Sequence, residues 1–431
     1  MEKFVIVGEK TLSGKVKVSG AKNSALKLMA ASILSEGRVT IKNIPGIDDV
    51  MTMIEVLKHL GAKVSFDLDQ KVLQIDPTFI SSYEAPYELV RKMRASILVA
   101  GPLLAKFGHV KVAIPGGCNI GSRQIDIHLK GFESLGAESV IEHGYIYLKS
   151  ARKGPKPSGK EGRYLQGTVI NFDFPSRGAT ENIMMAATLA EGKTVINNAA
   201  REPEIVDLAN FLISMGAKIE GGGTDCITIH GVKNLKGTVY RVMPDSIEAG
   251  TFITAASLCG EKVEICDAIW SNLETFCLKL REIGIDIEDR SNKSIVVKAV
   301  SRPLKPTYIS TLPYPGFPTD LQPIITVLLS IVPGVSIVTE NVFENRFMHV
   351  EELNRMGANI KVDGHHAIIK GVEKLSGAPV RAFDLRAGAA LVLAGLVAEG
   401  TTEVSDIYHI RRGYEDFEKK LQSLGACIRV E

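Results

Sequence analysis

The stretch VMTMIEVLKHLGAKVSF, residues 50–66, joins two periods end to end. Val50, Met53, Ile54, Leu57 and Leu60 recur at helical spacing, and Gly61 stands where a helix stops in the left-handed conformation. A strand then starts at Lys63 to Phe66, and a polar turn joins it to a second at Val72 to Ile75. The same helix end, (L/M/I)-G-(A/I) followed by a strand, returns at Gly136, Gly216, Gly284, Gly357 and Gly425, at separations of 68 to 80 residues. From 23 to 28 residues ahead of each copy stands a Gly with a β-branched residue four positions on: Gly37/Ile41, Gly108/Val112, Gly192/Ile196, Gly334/Val338 and Gly400/Val404, with a looser copy at Gly260/Ile265. Ala- and Leu-rich helices such as Ala25 to Leu34 and Ile183 to Ala190 lead into that element.

The pattern predicts a unit of strand, helix, strand, helix, strand, strand, repeated six times. One unit cannot bury both of its helices against its own small sheet, so units must associate until the helices have an interior. Three units in each of two domains is the natural division. An evenly repeated scaffold carries no chemistry, so function is sought where the repeat is broken.

Composition narrows the classes. The chain has 431 residues, 45% hydrophobic and 23% charged, enough for two or three domains. Lys plus Arg (51) nearly cancels Asp plus Glu (49), which leaves no global field to draw it onto nucleic acid or an acidic membrane. The opening MEKFVIVGEK lacks a cationic stretch followed by a long apolar one, so a cytoplasmic location is expected. The most apolar run, Ile324 to Val338, is interrupted by Ser330, Pro333 and Gly334 and is too short to span a bilayer. Six cysteines never form C-x-x-C and nine histidines never form H-x-x-x-H, so neither a disulfide framework nor a metal site is expected.

Four segments break the repeat. In Ser19-Gly20-Ala21-Lys22-Asn23-Ser24, Gly20 permits a tight approach, and Lys22 and Asn23 sit just ahead of a helix, where phosphate is favoured; an exposed, solvated lysine is the plainer reading. A Walker A loop is excluded, because, counting from Gly8, Ser13 stands where a Gly is required. Pro115-Gly116-Gly117-Cys118-Asn119-Ile120-Gly121-Ser122-Arg123 surrounds one thiol with three glycines; convergence of Lys22, Arg94 and Arg123 there would acidify it, and otherwise it is a cysteine in a tight turn. Pro313-Tyr314-Pro315-Gly316-Phe317-Pro318-Thr319-Asp320 delivers Asp320 to a helix start, as a proton acceptor or as a cap alone. Arg346, Arg386 and the pair Arg411-Arg412 lie just before or within helical segments, as surface charge or as forks for carboxylate and phosphate.

Together these segments resemble the enolpyruvyltransferases, in the branch that acts on a sugar nucleotide. The likeness runs the full length through SGAKNSAL (19–26), MRAS (93–96), PGGCNIGSR (115–123), REPEIVDLANFL (201–212), FPTD (317–320), VFENRFMHV (342–350), DLRA (384–387) and YHIRRGYE (408–415). The shikimate-pathway branch shares the repeat but lacks the Cys-bearing loop. The resemblance implies an α/β fold, a two-domain inside-out α/β barrel of six βαβαββ repeats, three per domain. It puts the crossings near 21 and 230, so that one domain is 22–230 and the other 1–21 plus 231–431.

The implied reaction moves the enolpyruvyl group of phosphoenolpyruvate to the 3-hydroxyl of UDP-N-acetylglucosamine, releasing phosphate, as the first committed step of peptidoglycan synthesis. No cofactor or metal is implied. Lys22, Arg123 and Arg412, with Arg94 near, would hold phosphoenolpyruvate. Cys118 would be the proton donor and Asp320 the proton acceptor. Asn23, Arg94, Arg123, Gln124, Ile125, Asp126, Ile127, Ser176, Arg177, Gly178, Asp320 and Val342 would contact the nucleotide sugar, with Arg346 and Arg386 in the same set. The family cysteine also adds to phosphoenolpyruvate and is alkylated by fosfomycin, which makes Cys118 the expected target of such an inhibitor.

Departures from the family pattern fall at Phe174, Arg177, Ser246 and Arg411, where Lys, a small apolar residue, Arg and Asp are common. They bear on nucleotide contacts and leave Lys22, Cys118, Asp320 and Arg412 in place. Two other readings are a non-catalytic paralogue that binds the nucleotide as a regulator, disfavoured by the intact set of four, and the shikimate-pathway enzyme, disfavoured by Cys118.

Overall fold

A computed structural model describes residues 2–91, 93–114, 125–152, 163–299 and 303–431. It divides into two compact units. One holds the described residues up to Ser19 and from Pro244 to Glu431; the other holds the described residues between Gly20 and Met243.

Each unit carries three four-stranded sheets of one pattern: an edge strand parallel to the next, then two antiparallel pairings. In the second unit the strands are Val239–Arg241, Val39–Lys42, Val72–Asp76 and Lys63–Asp67; then Glu84–Ala85, His109–Ala113, Tyr145–Ser150 and Ala137–Glu142; then Val169–Asn171, Lys193–Asn197, Cys226–His230 and Lys218–Glu220. The other unit repeats this with sheets built around Gly260–Cys266, Val335–Thr339 and Thr401–Ser405. Strand burial alternates, as in Thr401–Ser405, so each sheet gives one face to solvent and one to helices.

The sequence explains the layering. Helices Lys22–Ala31, Arg177–Ala187, Ser246–Cys259, Gln322–Ser330 and Leu385–Val397 are buried almost all round, which suits their Ala, Leu and Ile content. In the unit containing Asp320, Ser246–Cys259, Gln322–Ser330 and Leu385–Val397 pack against one another in pairs, as an interior of helices. The second helix of each repeat, such as Asp48–His59 or Pro203–Ser214, buries one stripe only. All six repeat-marking glycines, from Gly61 to Gly425, have φ between 88° and 114°, the left-handed helix end expected of them. The β-branched markers Ile41, Val112, Ile196, Ile265, Val338 and Val404 are buried.

The unit boundaries differ from the expected ones. The second lies at Met243/Pro244 rather than near 230, because Val239–Arg241 pairs in parallel with Val39–Lys42 (Tyr240 opposite Ile41) and holds the chain in that unit. The first lies at Ser19/Gly20 rather than after 21, as the Ala21 N–H donates to the Met243 carbonyl (2.7 Å). Gly20 is needed here: a Cβ would sit 1.8 Å from the Asn43 carbonyl oxygen.

Candidate functional site

In the unit containing Lys22, that residue is the first of its helix, not ahead of it, and Ala21 is the cap. Its ammonium lies 2.7 Å from the Asp49 carboxylate, both side chains at most 10% exposed. Asp49 is the second residue of the helix Asp48–His59, so the first turns of two helices share one buried ion pair. The solvated-lysine reading therefore fails, because burial of an ammonium requires a partner. Asn23 follows in the same first turn.

Arg94 begins the 3-10 helix Arg94–Val99, and its charge acts on His128. Ile125, Asp126 and Ile127 sit at the start of Asp126–Ser134, with Asp126 exposed and both isoleucines packed partly against the core. His128, on the same turn, is buried. The Asn182 amide donates to the Ile97 carbonyl (3.0 Å) and accepts from the Gly101 N–H (2.9 Å), which orients its Nδ2 toward His128 Nδ1 at 3.1 Å. Nδ1 then accepts and Nε2 carries the proton. Burial, with Arg94 second, holds His128 down to about 4, so it is neutral near pH 7. Its ring leans on Gly178: a Cβ there would meet Cε1 and Nε2 at 3.2 Å.

Ser176 caps the helix Arg177–Ala187, accepting from the Ala179 N–H (3.4 Å) and, at its carbonyl, from Thr180 Oγ1 (2.9 Å). Arg177 lies 3.8 Å from the buried Glu204 carboxylate. Burial raises the nearby Glu202 carboxyl above its ordinary range, opposed by Arg177.

In the other unit Asp320 sits in the turn Thr319–Leu321 that feeds Gln322–Ser330. Pro318 and Leu321, the residues at the two N-caps, make no side-chain cap. Asp320 Oδ1 accepts from Arg346 Nη2 (2.9 Å) and Oδ2 from Arg386 Nη2 (3.3 Å). The arginine side chains are 1% and 5% exposed against 22% for the aspartate, so the surface-charge reading fails for both. Arg386 is the second residue of Leu385–Val397, whose start Asp384 caps through the N–H groups of Arg386 (2.7 Å) and Ala387 (3.0 Å). Its guanidinium stands 5.3 Å from the Tyr414 ring centroid, and the Tyr414 hydroxyl lies 2.8 Å from Thr251 Oγ1. Val342 donates its N–H to Glu340 (2.8 Å). Arg412 caps the C-terminal end of Tyr408–Arg411, where its charge helps hold His409 below its ordinary pKa, second to burial.

Cys118, Arg123 and Gln124 lie outside the described residues. The geometry therefore brings together Lys22 with Asp49, Arg94 with His128, and Asp320 with Arg346 and Arg386. Asp49, His128, Asn182, Glu340 and Tyr414 were not singled out from the sequence. Asp49 and His128 each follow a marked helix start, a signal too common to select them.

The buried histidines carry a pH prediction. His349 is also pushed down to about 4, mainly by burial, with Asp384 opposing. A base that titrates near 6.5 when unfolded and near 4 when folded leaves the unfolded state with more protons across that interval, so stability is complete above about pH 6.5 and falls toward pH 4. Each histidine is expected to contribute about 3 kcal/mol of this loss. Urea unfolding of His349→Gln across pH 4 to 7 should show a shallower slope than the parent; equal slopes would refute the assignment.

Among the described residues no helix is long and apolar enough to cross a membrane. The family model described as EPSP synthase (3-phosphoshikimate 1-carboxyvinyltransferase) matches residues 6–421. UDP-N-acetylglucosamine 1-carboxyvinyltransferase 2 of Carboxydothermus hydrogenoformans is 56% identical over 99% of this chain and 99% of its own length. The corresponding Clostridium tetani protein is 51% identical over 99% of each. Among solved structures, the enolpyruvyl transferase NikO from Streptomyces tendae has a TM-score of 0.88 at 25% identity, covering 100% of this chain and 98% of its own. EPSP synthase from Acinetobacter baumannii has a TM-score of 0.74 at 17% identity, covering all of both chains, a likeness of fold alone.

Proposed function

From the premise that the chain belongs to the EPSP synthase family of enolpyruvyl transferases, within the group named UDP-N-acetylglucosamine 1-carboxyvinyltransferase, we propose the following reaction. The enzyme transfers the enolpyruvyl group of phosphoenolpyruvate to the 3-hydroxyl of UDP-N-acetylglucosamine and releases phosphate, serving peptidoglycan synthesis in the cytoplasm. The observation that carries this reading is a full-length relationship at more than half identity to proteins of that name. The buried arginines paired with Asp320 support it.

The mechanism runs by addition and elimination. Lys22, Arg123 and Arg412 bind the phosphate and carboxylate of phosphoenolpyruvate, with Arg94 close by. Asp320 takes the proton of the sugar 3-hydroxyl as that oxygen bonds to the central carbon, and the Cys118 thiol gives its proton to the methylene carbon. The product is a tetrahedral phospho-ketal. Its carbon–oxygen bond to phosphate then breaks as a methyl proton returns to the Cys118 sulfur and Asp320 gives its proton to the departing phosphate, restoring the double bond as an enolpyruvyl ether. The contacts support this reading at two points: Arg346 and Arg386 each donate to one Asp320 oxygen, and Asp49 pairs with the Lys22 ammonium at the helix start. Asn23, Ile125 to Ile127, Ser176 to Gly178 and Val342 line the nucleotide sugar, with Arg177 supplying charge toward the diphosphate. A fosfomycin-type epoxide would alkylate Cys118.

Phosphate release from phosphoenolpyruvate tests the reading. Release is expected with UDP-N-acetylglucosamine and not with shikimate-3-phosphate; release only with the latter, or with neither, refutes it.

A further inference from the structure

Glu340 is a carboxylate with 1% of its surface exposed, set just after the strand Val335–Thr339. Among the described residues its carboxylate accepts four bonds, all from neutral donors. Oε1 accepts from Thr311 Oγ1 (2.8 Å), the Val342 N–H (2.8 Å) and the Phe343 N–H (3.2 Å), and Oε2 accepts from Thr319 Oγ1 (2.9 Å). Among the described residues no cation pairs with it. A carboxylate this deep is costly unless several donors converge on it, and only a group without protons of its own takes four at once.

Three of the four donors belong to two segments that build the Asp320 clamp, and the fourth, Thr311, follows the strand Tyr308–Ser310. Thr319 is the residue before Asp320, in the same short turn. Val342 and Phe343 lead into Arg346, whose guanidinium holds Asp320 Oδ1 and lies 5.8 Å from the Phe343 ring centroid. Thr311 cannot turn away easily, since its Oγ1 also accepts from the Asn341 N–H (3.0 Å). One buried carboxylate thus ties the turn carrying the aspartate to the loop carrying its arginine.

Resting on the enolpyruvyl-transfer reading, we propose that Glu340 is a positioning residue for the reaction: it sets Asp320 and the backbone at Val342 in register for the acceptor hydroxyl without touching substrate. A displacement near 1 Å in such a group costs about 10²-fold in rate. Glu340→Ala is therefore expected to lower kcat by about 10²-fold with the KM for phosphoenolpyruvate unchanged. Glu340→Gln keeps the three contacts at Oε1 and can donate to Thr319 once that hydroxyl turns, so it should recover kcat to within about tenfold, the worth of one hydrogen bond.

Both variants are assayed in the full chain by phosphate release, with the two substrates varied separately, alongside thermal unfolding. A folded Glu340→Ala with parental kcat overturns the proposal, as does a Glu340→Gln no better than Glu340→Ala, which would assign the effect to charge. Should Glu340→Ala fail to fold, Thr319→Val decides: a fall in kcat of about tenfold at unchanged melting temperature supports the proposal, and parental kcat overturns it. Silence of the parent enzyme with UDP-N-acetylglucosamine would overturn the functional reading and this proposal together; an active parent confines any failure to Glu340.

Discussion

Asp320→Asn is expected to lower phosphate release by about 10³-fold, within the range that a positioned acid or base contributes. The substitution keeps the volume and one acceptor oxygen and removes the charge. In the present geometry each carboxylate oxygen is spoken for by a different buried guanidinium, Arg346 at 2.9 Å and Arg386 at 3.3 Å. The amide would turn an N–H toward one of them. A structural effect is thus expected beside the chemical one, since two cations would lose their counter-charge. Asp320→Asn with Arg386→Met separates the two. A gain in melting temperature in the double variant assigns the structural loss to the unpaired cation, and the turnover of the single variant decides the chemical role. An Asp320→Asn enzyme retaining more than about a tenth of parental turnover would remove Asp320 from the mechanism.

The largest effect on stability is expected at Lys27. Its ammonium lies 2.8 Å from the Glu181 carboxylate, with side chains 6% and 2% exposed, between the helices Lys22–Ala31 and Arg177–Ala187. Burial pushes the Glu181 carboxyl above its ordinary range, and Lys27 opposes that shift. Lys27→Met leaves the carboxylate without its partner, and unfolding free energy near pH 7 should fall by about 3–5 kcal/mol. The sign with pH follows. An acid whose folded pKa is raised carries its favourable contribution below that pKa and loses it as pH rises, so the variant should regain stability as pH falls from 7 and Glu181 takes up a proton. Lys27→Met with Glu181→Leu replaces the pair by apolar volume and should return near the parent or above it. Urea unfolding of the three chains at pH 5 and 7 checks this; a double variant as weak as the single one would show that packing, not charge, sets the loss.

How much of this was legible in the sequence depends on the range of the interaction. Helix ends were readable because Gly61 and its five counterparts solve a local problem, the left-handed residue that closes a helix. Gly20 was readable as a residue that permits a tight approach, but the Asn43 carbonyl that makes the approach is distant along the chain and only the fold brings it there. The clamp on Asp320 was not. Asp320, Arg346 and Arg386 were each singled out, yet nothing in their spacing tells that the arginines point at the aspartate rather than at solvent. Glu340 gave no signal at all, because an acidic residue at the end of a strand is usually hydrated and its four donors lie on three separate segments.

By itself the sequence determined the period, the helix and strand content of each repeat, and the need for helices to find an interior by association. Hydrophobic spacing and glycine placement are local and recur six times, so those readings were fixed by repetition. Only the tertiary structure decided which strand completes which sheet. Leu12–Lys17 precedes the helix Lys22–Ala31 but pairs with Gly260–Cys266, whereas Val239–Arg241 precedes Ser246–Cys259 but pairs with Val39–Lys42. Each unit thereby takes the first strand that the order along the chain would give to the other repeat. The physical reason is that strand pairing is made by backbone groups common to all residues. Every repeat shows the same alternating face, so side-chain pattern sets which way a strand points and leaves its partner to the assembled fold.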